Sequence, residues 1–157
     1  MEDMGERNDG VVVRDLRPED LEAVTAVDAR CVGRRREDYL RLKLRETLKE
    51  TGIRASLAAE ADGCFCGFLL ARVYYGEFGV LEPVTVLDTI DVDPDFRGRG
   101  VGAALLRQLR MNLSALGVAR LRTEVGWEEL GLLNFFHHEG FRPAPRLCLE
   151  LDLGAPP

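Results

Sequence analysis

Residues 83–102 read PVTVLDTIDVDPDFRGRGVG, and their order decides the fold. Val84–Val92 is apolar and β-branched, the composition of a buried strand. Asp93-Pro94 ends it, and Arg97-Gly98-Arg99-Gly100-Val101-Gly102 follows. Val101, Leu105, Leu109, Leu113 and Leu116 then recur at helical spacing until Gly117, which predicts a helix with one buried stripe. Strand, glycine-rich turn and helix together make a cradle for a phosphate group. Amides at a helix start point outward and carry partial positive charge. Glycines let the main chain approach a ligand and take φ > 0 at little cost. The guanidinium groups of Arg97 and Arg99 add planar donors suited to phosphate oxygens.

Three ligand classes use such a turn. A Walker loop would read GxxxxGK[ST], and the chain has no such string. A dinucleotide fingerprint, GxGxx[GA], is met formally by Gly98, Gly100 and Ala103, with Glu124 about twenty residues on. Its first glycine should follow the strand almost directly, but residues 93–97 intervene. Only the last third of the chain remains for a doubly wound sheet. The third class is coenzyme A, whose binding turn has the form [QR]xxGxG, met here by Arg97, Gly100 and Gly102.

That turn, with its strand before and helix after, resembles the acyl-CoA-binding motif of the GNAT superfamily of N-acetyltransferases. Downstream, a strand near Arg120–Val125 and a helix at Glu129–Glu139 ending in Gly140-Phe141 agree with it. There "FFHHEGF" is similar to the family's "lYeklGF". The resemblance covers roughly Val84–Phe141, and the N-terminal half only by element order.

The remaining elements fill in outward. Val11–Leu16 reads as a strand. Pro18-Glu19-Asp20 opens a helix marked by Leu21, Val24, Val27 and Cys31 and broken at Gly33. Tyr39, Leu42, Leu44 and Leu48 mark a second helix, stopped by Gly52. Arg54–Ala61 and Cys64–Tyr75 are two strands across an Asp62-Gly63 turn. Arg146–Leu153 alternates and reads as a closing strand. The order is β-α-α-β-β-β-α-β-α-β. The resemblance implies a GNAT (acyl-CoA N-acyltransferase) fold of the α/β class: a mixed, mostly antiparallel central sheet with helices on both faces. One domain over 11–153 is expected, with a disordered lead-in at 1–10 and a loose tail at 154–157.

Composition bounds the function. The chain has 157 residues and a net charge of −6, with a pI near 5.0. Nucleic-acid binding is not expected, because phosphate neutralisation needs a basic face. No apolar run reaches the ~18–20 residues that span a bilayer. The polar start MEDMGERNDG reads as neither signal nor transit peptide, so a cytoplasmic protein is predicted. Cys31, Cys64, Cys66 and Cys148 lack metal-ligand spacing, the two histidines lie far from them in sequence, and buried free thiols and no metal are expected. Cys64 and Cys66 are expected on one strand face.

The resemblance implies a chemistry: transfer of an acetyl group from acetyl-CoA to a primary amine on a protein or peptide N-terminus, a lysine or a small molecule. Arg97–Gly102 would hold the pyrophosphate. Ile90, Asp91 and Val92 would present main-chain groups to the pantetheine arm, as in strand addition. A free amide near Val92 would face the thioester oxygen. Asp88 is the candidate general base, directly or through water, since an amine with a pKa near ~10 must lose a proton. The alternative is a strand-end aspartate paired with an arginine. Asp91 is expected to point the other way, and Asp93 and Asp95 to shape the turn. Two positions depart from the family: Phe136 stands where a tyrosine usually protonates the leaving thiolate, and Glu129 where an asparagine is usual. His137 is a candidate replacement acid. These departures motivate a second reading, a non-catalytic acyl-CoA sensor on the same fold. Relatives often pair, which allows a homodimer. Trp127 reads as core or as the rim of the acceptor cleft, and Arg34-Arg35-Arg36 as a solvated helix start.

Overall fold

A computed structural model describes residues 10–49 and 55–154. Most of the lead-in, the Gly52 helix stop, Arg54 and residues 155–157 of the tail lie outside the described residues. The chain divides into two compact units, one ending at Glu124 and the other beginning at Val125.

The first unit holds β1 (Val11–Asp15), α1 (Leu21–Val32), α2 (Glu37–Lys49), β2 (Leu57–Ala61), β3 (Cys64–Tyr74), β4 (Val84–Val92), α3 (Val101–Ala115) and β5 (Arg120–Thr123). A single 3-10 turn, Pro18–Asp20, leads into α1. The strands lie in the order β1-β2-β3-β4-β5. The first four pair antiparallel and β5 pairs parallel with β4. A parallel neighbour needs a crossover, which α3 supplies.

Alternation along β3 puts a helix layer on each face. Phe68 and Leu70 are fully buried with Val24 and Val27 of α1, Leu40 and Leu44 of α2, and Leu16 and Ala58. The next position, Gly67, faces the other way. A Cβ there would stand 3.0 Å from Val101 Cγ1 and 3.0 Å from the Asp91 carbonyl oxygen. Only a residue without a side chain lets the start of α3 sit this close to the sheet.

Two bulges interrupt the alternation. Between β3 and β4 the register steps from Leu70↔Thr89 to Ala71↔Leu87, so Asp88 is the extra residue. Between β2 and β3 it steps from Ala59↔Gly67 to Glu60↔Phe65, so Cys66 is extra. Cys64 and Cys66 therefore do not share a face: Cys64 is exposed and Cys66 buried. Cys31 is half-buried and Cys148 exposed, so the expectation of buried thiols holds in full for Cys66 alone.

The second unit contains α4 (Leu130–His138). Residues 142–154 are exposed and form no strand, which corrects the expected closing strand Arg146–Leu153. Its sequence alternates, but a strand also needs a neighbour's hydrogen bonds, and no described strand supplies them. Trp127 is 93% exposed, which removes its reading as core.

Candidate active site

The turn after β4 is built by its own carboxylates. Asp93 is buried, and its Oδ1 accepts the Asp95 amide at 2.9 Å. Its own amide donates to the Cys66 carbonyl at 2.8 Å, tying the strand end to β3. Arg30 of α1 clamps Asp93 at 2.6 Å and Asp95 at 3.1 Å. Both aspartates shape the turn, as expected. Gly98 and Gly100 then take φ of +76° and +77°, a conformation costly for any residue with a Cβ. Gly100 caps α3, whose first internal bond runs from Ala104 N to the Gly100 carbonyl at 2.9 Å. The amides of Val101, Gly102 and Ala103 thus have no partner within the helix and face outward. Arg97 and Arg99 are both exposed. Arg99 pairs with Asp62 at 3.0 Å and lies over the Phe96 ring, while Arg97 reaches Cys31 Sγ at 3.7 Å.

β4 and β5 part next to this turn. Their pairing ends at Leu87↔Thr123, where Thr123 Oγ1 donates to the Leu87 carbonyl at 2.9 Å. Residues 89–92 stay paired with β3 on one side, and no described strand pairs with them on the other. Ile90, Asp91 and Val92 therefore line an open sheet edge that leads to the Gly100 cap.

Two carboxyl groups stand on this stretch. Asp88, in the bulge, is 3.3 Å from Lys43 Nζ and 3.5 Å from the Tyr39 hydroxyl, both on α2, and accepts the Thr89 hydroxyl at 3.0 Å. Its partner is a lysine, not the arginine considered from sequence. Asp91 hydrogen-bonds with Asp28 of α1. Both carboxyls thus face the α1–α2 layer, correcting the expectation that Asp91 points away from Asp88. The inserted bulge residue shifts the parity of all that follows it.

Burial raises the Asp91 carboxyl to about 7, helped by the hydrogen bond to Asp28 and by that group's charge and opposed by Arg36 and Arg97. Asp91 Oδ2 is buried without a hydrogen-bond partner. Asp28 is fully buried and held by Arg36 through Nε at 3.0 Å and Nη2 at 2.5 Å. Sequence reading missed Asp28, Arg36, Tyr39 and Lys43. Arg36 was folded into a solvated run, though only Arg34 and Arg35 are exposed there. A buried Asp at a helical core position was the one available signal.

In the second unit, Glu129 precedes α4 and its Oε2 accepts the Gly126 amide at 2.9 Å. Phe136 is buried against Phe135 and Phe141. His137 is exposed, with Arg142 Nη1 3.5 Å from its Nδ1.

The model of the acetyltransferase (GNAT) family matches residues 17–141. The chain belongs to this family. The GNAT match takes in the whole turn, the open edge of β4 and α4. Solved structures agree on the fold. The aminoglycoside N-acetyltransferase AAC(6')-Iy, solved in complex with CoA, is 22% identical, with 92% of this chain and 95% of that one covered and a TM-score of 0.76. The ribosomal-protein-alanine N-acetyltransferase of Brucella melitensis biovar Abortus 2308 is 20% identical, with 92% and 100% covered and a TM-score of 0.74. A transcriptional regulator from Bacillus halodurans C-125 is 16% identical, with 91% and 99% covered and a TM-score of 0.76. Curated protein sequences contain no significant match. Among the described residues no helix of this GNAT chain is long and apolar enough to cross a membrane, and no group of His, Cys, Asp and Glu is placed to hold a metal.

Proposed function

We propose that the chain is an acetyl-CoA-dependent N-acetyltransferase acting on a primary amine in a ternary complex. One observation carries this reading: the positive-φ glycine turn at the start of α3 lies directly beyond a β4 edge that β5 has left open. An anion cradle and a strand edge that no described strand covers, end to end, fit a diphosphate joined to an amide-bearing arm. CoA in the AAC(6')-Iy crystals supports the same ligand.

In this reading the amides of Gly98, Gly100, Val101 and Gly102, with Arg97 and Arg99, bind the diphosphate. Ile90, Asp91 and Val92 bind the arm through their main chain. The Val92 amide faces the thioester oxygen, where such a donor contributes ~10²–10³ in rate. Asp88 receives the acceptor's ammonium proton, directly or through water, with Lys43 and Tyr39 orienting it. The amine nitrogen then bonds to the acetyl carbon, the C–S bond breaks, a thiolate leaves, and the proton that the new amide nitrogen sheds ends on that thiolate. Phe136 donates no proton, and a thiol with a pKa near ~8.5 leaves without one. His137 is the remaining candidate acid. We take the two units as parts of one domain, as the family match across both supports, and place the protein in the cytoplasm with no nucleic-acid partner.

The test is binding followed by turnover. Acetyl-CoA should raise the melting temperature, and Arg97→Glu should abolish the shift. An amine library should release free thiol. No thermal shift ends the proposal. A shift with no thiol release from peptides, polyamines or aminoglycosides would leave a sensor in place of an enzyme.

A further inference from the structure

The chain has 21 lysine and arginine residues, and Lys43 and Lys49 are the only lysines among them. Arginine supplies every other one, and a guanidinium does not give up its proton in proteins. An arginine at residue 43 would pair with Asp88 at least as well as a lysine does. The side chain found there is instead a primary amine. Lys43 lies in α2 four residues after Tyr39, so the two share a helix face. Its Nζ is 3.3 Å from Asp88 Oδ1 and 5.9 Å from the centre of the Tyr39 ring. Arg36 lies over the same ring at 4.8 Å and holds the buried Asp28, which fixes the start of α2 against α1. The Lys43 side chain is 26% exposed and that of Asp88 35%, so the pair is reached from solvent. Burial pulls the Lys43 ammonium down, but the charge and hydrogen bond of Asp88 outweigh it and hold the group above the ordinary lysine range. Such an amine reacts only where a base takes its proton.

We propose that Lys43 is a modification site, acetylated by its own chain as an internal acceptor for acetyl-CoA. The proposal rests on the reading of Asp88 as the general base of an acetyl-CoA-dependent transferase. That reading sets the acceptor's ammonium within hydrogen-bond reach of Asp88, and Lys43 Nζ already stands there. The step balances. Asp88 takes one proton from the ammonium, and the nitrogen bonds to the acetyl carbon. The C–S bond breaks, the second proton shed by the nitrogen ends on the leaving thiolate, and Asp88 returns its proton to water. The flexible stem of a lysine lets Nζ swing from the carboxylate to the acetyl carbon. Acetylated Lys43 carries no charge, so its ion pair with Asp88 is lost. In the modified chain Asp88 meets an external amine without an internal competitor.

The experiment incubates the full chain with acetyl-CoA bearing a deuterated acetyl group, with no added amine, and locates the label by mass spectrometry of peptides. Label should enter Lys43 at a rate that does not change with protein concentration. It should enter about 10²-fold faster than at Lys49, the gain that one well-placed base supplies. Asp88→Asn should slow labelling of Lys43 by about the same factor and leave Lys49 unchanged. In urea the unaltered chain should lose its preference for Lys43, a result that stands whether or not the Asp88 variant folds. Equal labelling of the two lysines in the folded chain overturns the proposal. So does a rate that rises with protein concentration, or a preference for Lys43 that survives in urea. If acetyl-CoA raises the melting temperature and the amine library releases thiol while Lys43 stays an unmodified amine, the self-acetylation falls and the transferase reading stands. With no thermal shift both fall.

Discussion

Asp88 and Asp91 are three residues apart and differ in nearly everything that sets a carboxyl's behaviour. Asp88 is exposed and ion-paired with Lys43, and in the proposed reaction it takes the acceptor's proton. Replacing it by Asn keeps its size and removes its basicity. We expect Asp88→Asn to lower kcat about 10²–10⁴-fold, the range for a lost general base, with acetyl-CoA affinity unchanged; steady-state kinetics and calorimetry check the two halves. Asp91 is a protonated partner to Asp28 at low pH. Its folded value, about 7, lies above the ordinary value of 3.8. The stability it contributes is therefore complete below about pH 4 and is lost as the pH rises to about 7. Asp91→Asn retains a donor toward Asp28 and cannot ionise. Relative to the unaltered protein its advantage should grow between pH 5 and pH 8 by roughly 2–3 kcal/mol. Thermal melts of both proteins at the two pH values would show it, and a constant difference would refute it. Neither carboxyl's partner was legible in the sequence, because Tyr39, Lys43 and Asp28 reach β4 only when two helices pack on it.

Among the elements, the β4–turn–α3 unit was the most legible. Val84–Val92 and the helix start at Val101 were read from the sequence at the bounds the structure shows. β-Branched residues, Asp-Pro punctuation and a leucine stripe all act locally, so their signals agree. The turn depends on two backbone conformations that a Cβ opposes. Gly100→Ala would strain the cap at φ +77° by roughly 1–2 kcal/mol. Its expected effect is a lower melting temperature and about tenfold weaker CoA binding, measured by calorimetry. Unchanged affinity would mean that the turn does not depend on that conformation. The bulges were not legible. A period-two reading assumes one residue per step, and an inserted residue such as Asp88 or Cys66 reverses the faces without any mark in composition.

For the molecule as a whole, the first unit depends on β3 as the strand both helix layers share. Phe68 is fully buried where α1 and α2 meet the sheet. Phe68→Ala should cost about 3–5 kcal/mol, or on the order of 10 °C in melting temperature. A loss within 2 °C would show that the layer repacks around the gap. The order of elements from β1 to α4 and the glycine turn before α3 were legible in the sequence alone, because strand composition, helical spacing and glycine placement are properties of neighbours along the chain; the fold class came from the family resemblance those elements carry. Tertiary structure alone decided which face Asp91 takes, that Lys43 attends Asp88, that the buried Asp28 is held by a half-buried Arg36, and that the leucine-rich C-terminal segment pairs with no described strand. Each of these is a contact between residues far apart in sequence, set by where bulges fall and which edges remain unpaired, and no local pattern encodes either.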